Sequence, residues 1–269
     1  MPSIAIPLSL RGQLLSGSRS NPSVLFSSNE PGAWYDPSDL STMFQDTAGT
    51  IPVTASGQSV ARINDKSGRG NHATQTTASA RPTYQVDATG RGFLLFDGVD
   101  DWLVTPTITP GTDKVQVFAG VRKLSDVTTT GALVELSSDP TNLAGIFVFR
   151  VPTSAVNGQT VGFFSRGTAT VGASSSPYPA PTTFIATGLG DISGDVVTLR
   201  TNGSQVAQTT TDQGTGNYLA YPMYIGRRAG TSLPYSGRIY SLIVRFGSNL
   251  TTDQIIQTEV WVNGKTGAY

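Results

Sequence analysis

FLLFDGVDDWLV, residues Phe93 to Val104, sets two apolar runs on either side of Asp97-Gly98. An Asp-Gly step between apolar runs is the signal of a tight β-hairpin, because glycine accepts the positive φ that a two-residue reversal demands. VVTLRTNGSQVAQT (Val196 to Thr209) repeats the arrangement around Asn202-Gly203, and AVNGQTVGFF does so around Asn157-Gly158. Further strand-like runs are KVQVFAGVR (Lys114 to Arg122), GALVELS (Gly131 to Ser137), GIFVFRV (Gly145 to Val151), TFIATGL (Thr183 to Leu189), PMYIGRR (Pro222 to Arg228) and RIYSLIVRF (Arg238 to Phe246). Strands at this spacing, with turns between them, predict an antiparallel β-sandwich rather than βαβ units. One helix is predicted near the end. Thr251 and Gln254 can form a capping box, Ile255, Ile256, Val260 and Trp261 supply an apolar side, and Gly264 stops it.

Composition agrees. The chain has 269 residues, 38% of them hydrophobic, enough for a substantial core. Fourteen Arg stand against four Lys and fifteen Asp against three Glu, so long helix-forming side chains are scarce, while thirty Gly and sixteen Pro punctuate the strands. Only 13% of residues are charged and the formal net charge is zero. No long-range field therefore draws the protein to nucleic acid or to an anionic membrane. The absence of cysteine removes disulfides, thiolate catalysis and Cys-ligated zinc. No run approaches the roughly 20 apolar residues of a membrane span. No repeat of solenoid period recurs.

Residues 1–30 read differently from the rest: Ser-rich, broken by Pro2, Pro7 and Pro22, with apolar patches IAIPLSL and SVLF. With no basic residues ahead of its apolar stretch, this segment does not read as a signal peptide. It reads as an extended arm, followed by one domain over 31–269. Such an arm either lies on its own domain or is donated to a neighbouring chain, as strand addition allows.

DKSGRGNHATQ (Asp65 to Gln75), followed by GRGFLLFDGVDDWLVTP (Gly90 to Pro106), resembles the paired signature of bacterial laminin-G-like domains of the concanavalin A-like superfamily. The later pieces, TLRTNGSQVAQT, the IGRR strand at Ile225 and SGRIYSLIVRFGSNLTTDQI, fall in the order that family uses. The resemblance covers roughly Trp34 to Gly264 and implies a jelly-roll sandwich. WYDPSDLSTMFQDTAGTIPVTASGQSVARINDKSG more narrowly resembles structural modules of tailed phages and prophages. In one respect the chain departs from the pattern, carrying Tyr240 where many relatives have an acidic residue.

In DKSGRGNHATQ the short side chains of Asp65 and Asn71 bracket Gly68 and Gly70, a pattern for a stiff turn beside the FDGVDDW segment, with Trp102 in the core. The functional alternative is a rim site in which Asp65 with Asp100 or Asp101 binds calcium, a hard ion that takes oxygen ligands. His72 cannot make a zinc site alone and reads as a structural histidine. No Lys-Ser or Lys-Thr follows the glycines, which excludes a phosphate loop. Glucanases of this superfamily use closely spaced carboxylates, whereas Glu30, Glu135 and Glu259 lie far apart, so catalysis is not expected. Trp34-Tyr35, Tyr178, Tyr218, Tyr221 and Tyr235, with Arg227 and Arg228, are the candidate contact residues, since sugar sites pair aromatic faces with hydrogen-bonding groups. The resulting expectation is a non-enzymatic phage virion protein, made in the host cytoplasm and tail- or surface-associated. It would contact other virion proteins through its arm, form a homo-oligomer and bind a host glycan. The alternative is capsid decoration through protein contacts alone.

Overall fold

β-Branched and aromatic residues at alternate positions carry the chain through two antiparallel sheets with an apolar layer between them. The computed structural model describes residues 21–126, 129–137, 143–153 and 158–269. The first sheet runs β15 (Ser204–Thr209), β14 (Val196–Thr201), β13 (Thr182–Asp191), β8 (Lys114–Lys123), β17 (Ser236–Phe246), β6 (Gly92–Asp97) and β5 (Thr83–Val86). β1 (Gly32–Tyr35) joins the far half of β17. The second runs β12 (Thr170–Ser175), β11 (Val161–Arg166), β10 (Ile146–Arg150), β9 (Ala132–Leu136), β16 (Tyr221–Ile225), β7 (Leu103–Ile108), β4 (Ala73–Thr74), β3 (Arg62–Ile63) and β2 (Met43–Phe44). The predicted all-β sandwich with one C-terminal helix is the observed architecture.

The FDGVDDW segment is not a hairpin. β6 belongs to the first sheet and β7 to the second, so Asp97–Trp102 is a corner that carries the chain from one sheet to the other. Asn202-Gly203 does close a hairpin, with Thr201 opposite Ser204. β10 and β11 pair antiparallel as predicted, although Asn157 of the intervening turn lies outside the described residues.

Both faces of the first sheet are covered. Val115, Val117, Ala119 and Val121 of β8 face the core, while Phe118, Ile185 and Ile243 point outward and are buried beneath Leu25, Phe26, Trp34 and Val262. Val262 belongs to α1 (Thr252–Thr266), which begins at the predicted capping box of Thr251 and Gln254. It does not stop at Gly264. It runs to Gly267, whose φ of 64° closes it, because Thr266 is buried against β8 at Gly120, where any Cβ would collide with its hydroxyl. Its buried side is Thr258, Glu259 and Val262, while Ile256 and Val260 are each 45% exposed. Residues 21–30 pack on this same face: Pro22–Phe26 is a 3-10 turn, and Arg245 holds it by donating to the Leu25 carbonyl at 2.7 Å and pairing with Glu30 at 3.1 Å. Residues 1–20 lie outside the described residues.

Candidate functional site

α1 and the 3-10 turn both cover the first sheet, whereas the outer face of the second is partly open, with Val104, Tyr224, Phe164 and Gly172 half-buried. The registers lay out one row straight across it: Val104 on β7, Tyr224 on β16, Glu135 on β9, Val148 on β10, Phe164 on β11 and Gly172 on β12. Directly opposed residues of antiparallel strands share a face. The neighbouring inward row, Leu103, Ile225, Val134, Phe149, Phe163 and Ala173, is core.

Two steps along a strand return a side chain to the same face, so Arg150 and Arg166 flank the Val148–Phe164 pair. With Arg228, which follows β16, they line a cleft of about 280 Å³ whose walls also include Ile146, Phe164 and Thr170. The Phe164 ring lies flat over Gly162 and Gly172, where a Cβ at Gly172 would come within 2.2 Å of it. The Arg150 guanidinium sits 4.4 Å from that ring's centre. Glu135 is buried in the same row; Arg228 donates to it at 3.2 Å and the Ala229 amide at 2.7 Å. Burial raises the Glu135 pKa above the usual carboxylate value, with Arg228 pulling the other way. Burial also lowers the pKa of Arg150, helped by the charge of Arg228. At the other end of the row Trp102 and Tyr224, both half-buried, pack with ring centres 5.8 Å apart and planes tilted by 39°. Trp102 is thus not core but part of the outer face.

The predicted contact residues do not form one surface. Tyr218 is core, its hydroxyl 2.6 Å from Ser165, and Tyr235 is core, its hydroxyl donating to the Arg122 and Arg238 carbonyls at 3.2 Å. A buried tyrosine is stable when its one polar atom finds a partner, and that is what each does. Burial pushes both phenol pKa values well up. Trp34 and Tyr35 are likewise buried, on β1. Tyr178 packs on Phe184, and Tyr221 is half-buried at the start of β16. Arg227 donates to the Thr231 carbonyl. Of the predicted residues only Arg228 lines the cleft; Glu135, Arg150, Phe164 and Arg166 were missed, because they come together only once register is known.

The calcium set does not assemble either. Asp65 spends both carboxylate oxygens on its own turn, accepting from the Trp34, Ser67 and Asn71 amides and the Ser67 hydroxyl. His72 completes that turn by accepting from the Asp65 amide, and burial lowers its pKa. Among the described residues the group of three acids close enough to share an ion is Asp97, Asp100 and Asp101, with oxygens within 4.8 Å, at the corner between the sheets. Asp97 already accepts from the Val99 and Asp100 amides, and Asp101 from the Asp97 amide.

No family model matches the chain, and no curated protein matches it. Solved structures do. Domain 4 of an extracellular GH43 arabinanase from Geobacillus stearothermophilus, in complex with arabinotriose, matches at TM-score 0.57 and 16% identity over 86% of this chain and 98% of that one. The binding domain of botulinum neurotoxin DC in complex with SialylT matches at TM-score 0.56 and 10% identity, over 87% of this chain and 52% of that one. That of botulinum neurotoxin serotype D matches at TM-score 0.56 and 10% identity, over 86% and 51%. The chain thus spans about half the length of the toxin domains. At these identities the likeness is one of fold, a β-sandwich.

Proposed function

We propose that the protein is a non-catalytic glycan-binding domain of a tailed-phage virion that acts in host attachment through the outer face of its second sheet. The observation that carries this reading is the cleft, where an aromatic side chain and three guanidinium groups line a hollow on the sheet face. The arabinanase domain, matched over almost its whole length, is bound to a saccharide, which supports a saccharide here. Glycoside hydrolysis uses two carboxyl groups, and among the described lining residues there is none; nearby Glu135 is held by Arg228 and Ala229. The phage setting rests on the likeness of Trp34–Gly68. With residues 21–30 packed on the domain itself, the part of the arm before them would link it to other virion proteins and to further copies of itself.

Titration of the protein with a panel of neutral and acidic oligosaccharides tests the reading. Binding of at least one is expected, with Phe164→Ala, which removes the aromatic wall of the cleft, weakening it roughly tenfold while a cooperative melting transition shows the domain still folded. If no saccharide binds and only virion proteins are retained, capsid decoration replaces attachment.

A further inference from the structure

We propose that the cleft selects acidic saccharides, seating a sugar carboxylate between Arg150 and Arg166. The inference rests on the glycan-binding reading and names the class of glycan.

Charge in the cleft does not balance. Arg150, Arg166 and Arg228 line it, none of the described lining residues is acidic, and Glu135, buried in the same row, is taken up by Arg228 at 3.2 Å and the Ala229 amide at 2.7 Å. Among the described residues neither Arg150 nor Arg166 has an ion-pair partner, and the Nε atom of each is buried without a hydrogen-bond acceptor. Arginine does not lose its proton in proteins, so both charges persist. Removing a cation from water without pairing it is unfavourable, and an anion entering the cleft would offset that penalty.

Geometry narrows the anion. Arg150 is held against the Phe164 ring, which can lie flat only because Gly162 and Gly172 lack side chains. A guanidinium fixed by stacking keeps its planar fork, which matches a carboxylate with two parallel N–H···O bonds. Arg166 flanks the Val148–Phe164 pair on the side away from Arg150 and lines the same cleft. Ile146 and the Phe164 edge supply the apolar wall that a sugar ring needs and a bare anion does not use. With formal net charge zero over the chain, this local excess is the attraction, not a general field.

Calorimetric titration of the full chain with 3′-sialyllactose and trigalacturonate, against lactose and galactotriose, tests the assignment. At least one acidic sugar should bind roughly tenfold or more tightly than its neutral counterpart, with added salt weakening it. Arg166→Gln should remove that preference, and Arg166→Lys, which keeps charge but loses the fork, should restore only part of it. Arg150→Gln should act alike, but it also unseats Phe164, so the Arg166 variants decide, each checked by melting temperature. Equal binding of acidic and neutral sugars, unchanged in Arg166→Gln, overturns acid selection and leaves the glycan reading standing. Failure of every saccharide overturns both. Displacement of the acidic sugar by equal concentrations of acetate or sulfate overturns the proposal in favour of a simple anion site.

Discussion

Asp97-Gly98 and Asn202-Gly203 are nearly the same dipeptide between similar strands, yet one leaves its sheet and the other stays. At Asn202-Gly203 both residues have positive φ, 48° and 80°, as a two-residue hairpin requires. The Asn202 side chain accepts from the Ile185 amide and its own amide donates to the Ile185 carbonyl, so the turn is tied to the neighbouring strand of its own sheet. At Asp97-Gly98 only the glycine has positive φ, 79°. Here the side chains bond within the loop, Asp97 to the Val99 and Asp100 amides and Asp101 to the Asp97 amide. Those bonds replace the ladder bonds that the chain gives up on leaving the sheet. An Asx-Gly step therefore signals a reversal; where its side-chain oxygen finds donors decides whether the sheet partner is kept. The difference shows in burial too, since Leu103, Thr105 and Ile108 after the corner are buried whereas β15 after the hairpin is largely exposed.

Gly98→Ala should give the largest effect. A Cβ there would stand 2.6 Å from that of Ser236, in a backbone conformation that L-residues resist, so a loss of roughly 3 kcal/mol is expected by urea unfolding. A loss below about 1 kcal/mol would mean that the corner shifts freely and does not fix the crossing.

Much of this fold was legible because alternation survives in a single sequence; the crossing was not, because nothing in FLLF or WLV says which sheet each run will join. The helix start was legible in Thr251 and Gln254, which bond each other's backbone, but its end depended on Thr266 meeting Gly120 across the packing. The site was hardest to read. Arg150, Phe164 and Glu135 sit on three strands, and only register aligns them. Tyr218 and Tyr235 misled because Gly- and Pro-rich surroundings suggest surface, while their hydroxyls find partners inside.

The next test concerns charge at the corner. Burial, together with Asp97 and Asp100, raises the Asp101 pKa from 3.8 to about 6. The folded state then binds more protons than the unfolded one between these values, so stability falls as pH rises from about 4 to about 6. Asp101→Asn keeps an acceptor for the Asp97 amide and removes the charge. It should flatten that part of the pH profile and stabilise the protein at neutral pH by on the order of 1 kcal/mol, solvent screening included. An unchanged profile would show that Asp101 is not the group responsible. Run with calcium and with chelator, the same melting curves decide the metal reading of Asp97, Asp100 and Asp101. A bound ion would stabilise the wild type by about 2.7 kcal/mol at a hundredfold excess over its dissociation constant and leave Asp101→Asn nearly unmoved. Identical curves would leave the acids as caps of the corner alone.

Gly203→Ala should lose far less stability than Gly98→Ala, although its φ of 80° matches that of Gly98. The nearest atom to an added Cβ is the Tyr269 hydroxyl at 3.4 Å, an ordinary contact with an exposed residue that can move aside. What remains is the backbone penalty alone, about 1 kcal/mol. The carbonyl of residue 203 is unaffected, so Arg200 can go on donating to it at 2.7 Å while pairing with the buried Glu259 of α1. Backbone strain at the tip should also stay local, because β15 is an edge strand with mostly exposed side chains. Amide exchange should therefore quicken in β14 and β15 while β8 and β17 keep their protection. Should Gly203→Ala lose as much stability as Gly98→Ala, strain would be the common cause at both turns, and the crowding against Ser236 could no longer set the corner apart.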